Sequence, residues 1–460
     1  MTLIKSISGI RGTIGGSVSN NLTPIDVVKF ASAYGMWIKE QRQKTNYRVV
    51  VGRDARISGE MIQNLVMNTL VGIGIDVINL GLSTTPTVEV AVPMEHADGG
   101  IILTASHNPK QWNALKLLDH NGEFLNAGFS QRVLDLAEAE DVNFETVDNL
   151  GKITKNDAYF DLHIDEVLAL KYVNAEAIKK CRFKVVVDGV NSTGGIVVPV
   201  LLERLGVEPI RLHCNPNGDF AHNPEPLKKH LTDLADKVLQ TGADFGIAVD
   251  PDVDRLAFMD EKGELFGEEY TLVACADFVL RQTKGNTVSN LSSTRALRDV
   301  TEQHGGQYMA SAVGEVNVVQ AMKDNNAIIG GEGNGGIILP EAHYGRDALV
   351  GIALFLSLLA EKQISVSALK RSYPLYFMSK KKVDLSPEIN VDEVLNNIKQ
   401  NYQNEQLTTV DGVKIDFTDS WVHLRKSNTE PIIRIYTEAP SQNQADDLAD
   451  RLILELQSLS

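Results

Sequence analysis

The chain reads as an α/β protein: parallel βαβ units with helices on both faces of each sheet, followed by a smaller α+β domain. Three observations predict this. A β-branched run, a polar glycine-containing loop and a helical stretch recur in that order along the chain. The apolar runs are continuous rather than alternating, as expected of strands buried on both faces. Near residue 375 the pattern changes to alternating strands and one amphipathic helix.

Taken in order, "YRVVVGRDARISGEMIQNLVMNTLVGIG" (47–74) is a strand, a loop and a helix, with a second strand following in "IDVINLG". "FKVVVDGVNSTGGIVVPVLLERLG" (183–206) repeats the plan before "VEPIRLH", and "NTVSNLSSTRALRDVTEQHGGQYMAS" (286–311) is a weaker third copy. The stretch "LVGIALFLSLLA" (349–360) is too short to span a bilayer and fits a buried helix. "WVHLRKSNTEPIIRIYTEA" (421–439) reads as two strands around a polar turn. In the final "SQNQADDLADRLILELQSL", Ala445, Leu448, Leu452 and Leu456 share one helix face. A chain of 460 residues is too long for one core. The expected division is 1–155, 156–262, 263–374 and 375–460.

With 44 Lys+Arg against 60 Asp+Glu, the formal charge of −16 argues against a nucleic-acid binder, though a basic pocket remains compatible with it. Cys181, Cys214 and Cys275 are far apart and outside any C-x-x-C pattern, as in a reducing compartment. The N-terminus lacks the apolar core of a signal peptide. The expectation is a cytoplasmic protein with no membrane partner.

Four loops carry chemistry, each after the carboxyl end of a strand, where α/β folds place ligands. "TASHNP" (104–109) sets Ser106, His107 and Asn108 beside a proline that holds Asn108 out of helical geometry. A helix N-cap is the plainer reading of such a serine; a G-x-S-x-G serine-hydrolase elbow is absent. In "DPDVDR" (250–255), Asp250, Asp252 and Asp254 alternate. Three close carboxylates repel unless a cation sits among them, and Mg²⁺ is the natural hard choice. Arg255 stands where an EF-hand turn needs glycine, and Asp254 breaks the D-x-D-x-[T/V] pattern of aspartyl phosphatases. "GEGNGG" (331–336) offers Glu332 and Asn334 to sugar hydroxyls, or makes a solvated hairpin turn. Finally, Arg425, Ser427, Asn428, Thr429 and Arg434 suit a dianionic phosphate, or form a polar β-turn.

Together with "GIRGTIG" (9–15) and "GRDAR" (52–56), these loops resemble the α-D-phosphohexomutase family along nearly the whole chain and in the family's order. The family includes phosphoglucomutases, phosphomannomutases and phosphoglucosamine mutases. The resemblance implies three similar α/β domains and a smaller C-terminal domain around a central cleft. It makes Ser106 a phosphoserine and a metal ligand beside the three aspartates, with one Mg²⁺ per chain. A hexose 1,6-bisphosphate is the implied primer and intermediate, and the implied assembly is a monomer or homodimer. Lys116, Arg11 and Arg255, with His107, fall at catalytic positions, and Arg53 is expected to add to the charge. Glu332 and Asn334 fall at the sugar, and the 425–434 loop at the phosphate that is not transferred.

Two departures stand out. The histidine that many relatives carry after the sugar-loop glutamate is missing, leaving His343 or Arg346 as candidates for its proton-transfer role, and Ala114 replaces a frequent glycine. "GGEGNGG" followed by "ILPEAHYGRDALV" looks more like the archaeal-type phosphoglucosamine mutases, so glucosamine phosphate is the expected substrate. The alternatives are a glucose or mannose phosphate mutase, a metal-dependent sugar phosphatase using Asp250 as nucleophile, and a non-catalytic sugar-phosphate sensor.

Overall fold

The computed structural model describes residues 2–7, 9–384, 390–426 and 432–459. Its strands form four sheets. The first has seven strands, in the spatial order Ile4–Ser6, Gly9–Thr13, Trp112–Leu118, Gly99–Leu103, Tyr47–Arg53, Ile75–Leu82 and Ile153–Lys155. The second runs Leu256–Met259, Phe245–Val249, Lys184–Asp188, Glu208–Leu212. The third runs Gly336–Ile338, Ala327–Glu332, Asn286–Asn290, Tyr308–Ser311.

A common core explains the recurring sequence plan. In each of these three units two parallel strands linked by a helix lie beside a third parallel strand, which then turns back into an antiparallel fourth. That hairpin turn is residues 104–111 in the first unit, 250–255 in the second and 333–335 in the third. The serine and the aspartates therefore occupy equivalent turns, and Glu332 is the last strand residue before the equivalent turn of the third unit. No helix follows Ser106; the chain enters the strand Trp112–Leu118, so the serine is not a helix cap.

The apolar helix is Ala348–Lys362, buried from Ala348 to Ala360 and capped by Asp347, whose carboxylate accepts from Leu349 N and Val350 N. Its residues share one continuous core with the strands of the second unit and with Ile329 and Ile337 of the third. The C-terminal domain is separate in this respect. Its five antiparallel strands and two helices, Val391–Asn401 and Gln442–Leu459, enclose their own core, which includes Leu448, Leu452 and Leu456. Among the described residues no helix is long and apolar enough to cross a membrane.

Candidate active site

The serine loop is held by a single arginine. Arg56, fully buried, donates through Nη2 to Ser106 O and Asn108 O and through Nη1 to Pro109 O and Trp112 O. Its Nε reaches Asp54 Oδ2 at 3.0 Å. Asp54 also accepts from Thr104 Oγ1, which in turn accepts from Ser106 N. This frame maintains Ser106 at a φ of 47°, a left-handed conformation uncommon for a non-glycine residue.

The strained turn aims Ser106 Oγ at the aspartates: it donates to Asp250 Oδ2 at 2.6 Å. His107 Nδ1 lies 3.3 Å from the same oxygen. Burial and the Arg255 charge hold His107 well below the ordinary histidine range, so it is a neutral imidazole at neutral pH.

All three aspartates are fully buried. Asp250 Oδ1 accepts from the backbone N–H of Asp254 and Arg255, which winds the turn around it and leaves Val253 at a φ of 63°. Asp252 Oδ2 accepts from Thr85 Oγ1 at 2.5 Å and from Lys116 Nζ at 2.7 Å. Lys116 Nζ also lies 3.3 Å from Asp254 Oδ2. Burial disfavours its ammonium, but Asp252 and Asp254 outweigh that and push its pKa above the usual lysine value. Burial, then Asp254 and Asp252, drive Asp250 the other way for a carboxylate, well upward. Asp254 is held low against burial by Arg346, Lys116 and Arg255.

The third turn joins this centre through Arg346. Its guanidinium donates to Asp254 Oδ2 at 2.7 Å, Glu332 Oε2 at 2.8 Å and Glu315 Oε2 at 3.2 Å. Glu332 also accepts from Asn290 Nδ2, from Gly314 N and from Asn334 Nδ2. Its side chain is buried, so this turn is a hairpin but not a solvated one. Gly335 is required there: at a φ of +86° it packs so closely that a Cβ would stand 2.1 Å from Leu256 O on the neighbouring unit.

Positive charge completes the cleft. Arg11 and Arg255 each bury an Nε with no hydrogen-bond partner. Burial lowers the Arg11 pKa, and the nearby Arg255 and Arg434 charges lower it further. The Arg255 and Arg434 guanidiniums thus lie near that of Arg11, and Arg255 has Glu225 at 3.8 Å and Asp254 at 3.9 Å as its carboxylate neighbours. Arg425 and Arg434 are register partners on adjacent strands of the C-terminal sheet, with Arg425 Nε also paired to Asp411 at 2.9 Å. Ser427, Asn428 and Thr429 lie outside the described residues.

Two expected residues sit elsewhere. Arg53 turns to Gln63 Oε1 and Asp54 O, held by its own unit. His343 faces Asp347 and Glu89, so of the two residues weighed for the missing histidine only Arg346 reaches the centre. Sequence reasoning missed Arg56, Thr85 and Glu315; only Arg56 left a signal, as the second arginine of "GRDAR".

The aspartates fit a divalent cation. They offer oxygens within 4.8 Å of one another, and Asp252 Oδ1 and Asp254 Oδ1 are buried without a hydrogen-bond partner. Hard oxygen donors left without a hydrogen-bond partner suit Mg²⁺.

The chain matches the phosphoglucomutase/phosphomannomutase family domain by domain: α/β/α domain I at residues 3–143, domain II at 161–263, domain III at 267–376 and the C-terminal domain at 378–455. It is similar to a phosphoglucomutase/phosphomannomutase of Thermococcus kodakarensis, 36% identical over 94% of this chain and 95% of that one. It is also similar to a phosphoglucosamine/phosphogalactosamine mutase of Sulfurisphaera tokodaii, 33% identical over 96% and 97%. Among solved structures, a phosphoglucomutase/phosphomannomutase family protein from Burkholderia thailandensis superposes with a TM-score of 0.84, covering 99% of this chain and 98% of that one at 24% identity.

Proposed function

Because this chain belongs to the phosphoglucomutase/phosphomannomutase family of isomerases, we propose that it interconverts a hexose 6-phosphate and a hexose 1-phosphate. The route runs through phosphorylated Ser106 and a bisphosphorylated sugar, and the hexose is glucosamine. The observation that carries this reading is the approach of Ser106 Oγ to Asp250 within 2.6 Å, where turns from three units converge beside unpaired guanidinium nitrogens.

In the forward transfer the bond from phosphorus to Ser106 Oγ breaks as one to the free sugar hydroxyl forms, and the hydroxyl proton ends on Ser106 Oγ. The bisphosphate then turns over and returns its other phosphoryl group to Ser106. Lys116, an ammonium paired with Asp252 and Asp254, acts as proton donor and positive charge at the sugar oxygen, and His107 Nδ1, a neutral imidazole, is within reach of the serine oxygen. Arg11 and Arg255 draw in the anion. Glu332 and Asn334 orient the sugar hydroxyls, and Arg425, Ser427, Asn428, Thr429 and Arg434 grip the idle phosphate. Asp250, Asp252, Asp254 and the Ser106 oxygen would hold Mg²⁺, which when bound would neutralise charge at the phosphoryl group.

The phosphatase alternative finds no support in this arrangement. Asp250 Oδ1 is occupied by two backbone amides and Oδ2 by Ser106, and the relatives are mutases. The sensor alternative predicts a degraded serine or metal loop, and neither loop is degraded. A cytoplasmic monomer or homodimer, primed by hexose 1,6-bisphosphate, completes the proposal. The two relatives divide on the sugar, one named for glucose and mannose, the other for the amino sugars. Isomerisation of glucosamine, glucose and mannose 6-phosphates with a trace of the matching bisphosphate decides it. Turnover of glucosamine 6-phosphate at least about tenfold faster, ~1.4 kcal/mol of discrimination, is expected. Faster glucose or mannose turnover rejects the glucosamine reading, and net release of inorganic phosphate rejects the mutase reading.

A further inference from the structure

Behind the catalytic centre lies a second cluster of ligand side chains. His163, on the helix Tyr159–Ala169, directs Nε2 to Asp347 Oδ2 at 2.8 Å. His343 directs Nε2 to the same oxygen at 3.3 Å. The three side chains offer donor atoms within 4.8 Å of one another. Asp347 is pinned for this, because its other oxygen caps the helix Ala348–Lys362.

The far nitrogen of His163 is hydrogen-bonded, and that of His343 faces a carboxylate without a hydrogen bond to it. Thr87 Oγ1 lies 2.9 Å from His163 Nδ1, and Glu89 Oε2 lies 3.4 Å from His343 Nδ1. Metal-bound histidines are oriented in this way, by a hydroxyl or carboxylate on the ring nitrogen that does not bind.

An independent observation points to a missing positive charge. Glu89 is 2% exposed, and neither of its carboxylate oxygens has a hydrogen-bond partner. Burial and the Glu315 charge push this carboxyl well up, against Lys116, so its ionised form is costly there unless a further cation lies close by. Nitrogen-rich donors favour zinc-like ions over Mg²⁺. In a tetrahedral site with bonds of about 2.0–2.1 Å, neighbouring ligand atoms stand about 3.3 Å apart, close to the spacings here.

We propose that His163, His343 and Asp347 form a second metal site, distinct from the aspartate triplet, that binds one zinc-class divalent ion, with Thr87 and Glu89 orienting the two histidines. The ion ties the first unit, through Thr87 and Glu89, to the third. It also fixes Asp347 next to Arg346, the residue that joins Asp254 to Glu332.

The test uses the full chain, stripped with a chelator and re-equilibrated with Co²⁺ or Zn²⁺ under excess Mg²⁺. One equivalent of zinc per chain and the visible absorption of low-symmetry Co²⁺ are expected. Both should persist in Asp252→Asn and vanish in His343→Gln and His163→Gln. Thr87→Val should weaken affinity about 10–100-fold with the spectrum retained. Folded wild-type protein that shows neither the equivalent nor the absorption overturns the proposal, whatever the variants do. So does a His343→Gln protein that keeps both.

Discussion

The second unit's turn and the paired arginine strands of the C-terminal sheet hold charge in opposite ways. Asp250, Asp252 and Asp254 are fully buried and tied by Ser106, Thr85, Lys116 and Arg346, which come from two other units. Arg434 is exposed and Arg425 half-buried, on a domain whose core is its own. One region is fixed by contacts remote in sequence; the other is a self-contained platform docked on the third unit through groups such as Arg295, Lys414 and His423. On the proposed function, the chemistry falls where side chains from other units fix the groups, and the grip on the idle phosphate falls on a domain with its own core.

Four changes break or sharpen that contrast. Asp252→Asn is the harshest, since it removes the negative charge that pairs with Lys116 and that would hold the proposed cation; kcat should fall at least ~10³-fold with little change in KM. Arg56→Lys removes a planar fork that serves four carbonyls of the serine loop. Turnover should drop about 10²-fold, as expected when a reacting group is misplaced by about an ångström, and burst kinetics should show slowed phosphoryl transfer. Arg434→Ala should raise KM about tenfold and leave kcat within a few-fold; equal losses in both constants would erase the proposed division.

The mildest change is in the dock. His423 is buried, with Nδ1 2.9 Å from Ser292 Oγ and Nε2 2.6 Å from Asp411 O, and burial lowers its pKa to about 4. The unfolded chain therefore takes up this proton at a higher pH than the folded one does. Stability from this group is complete above pH ~6.5 and is lost as pH falls toward ~4, by about 3 kcal/mol in all. Thermal unfolding followed against pH should show that slope in wild type and a flatter one in His423→Gln.

The architecture was readable because the local signals agreed with it. The continuous apolar strands, the greasy 349–360 helix and the Ala445–Leu456 helix face are each decided by burial over short spans. What could not be read was how the pieces meet. Sequence spacing gives no sign that residues 104–111, 250–255 and 333–335 are the same turn in three sheets, since that depends on strand order. Nor does it reveal that Arg346 bridges Asp254 and Glu332, 92 and 14 residues away. Lys116 and the aspartates were expected near one another only through family resemblance; their contact spans 136 residues. Arg53 shows the limit of reading charge from a motif: Gln63, ten residues on, holds it away from the centre.

Intact-protein mass spectrometry after incubation with hexose 1,6-bisphosphate addresses the serine directly. Wild-type protein should gain one phosphate-sized increment that disappears on adding hexose 6-phosphate, and Ser106→Ala should gain none. An increment that survives in Ser106→Ala, or that maps to Asp250, would contradict the account.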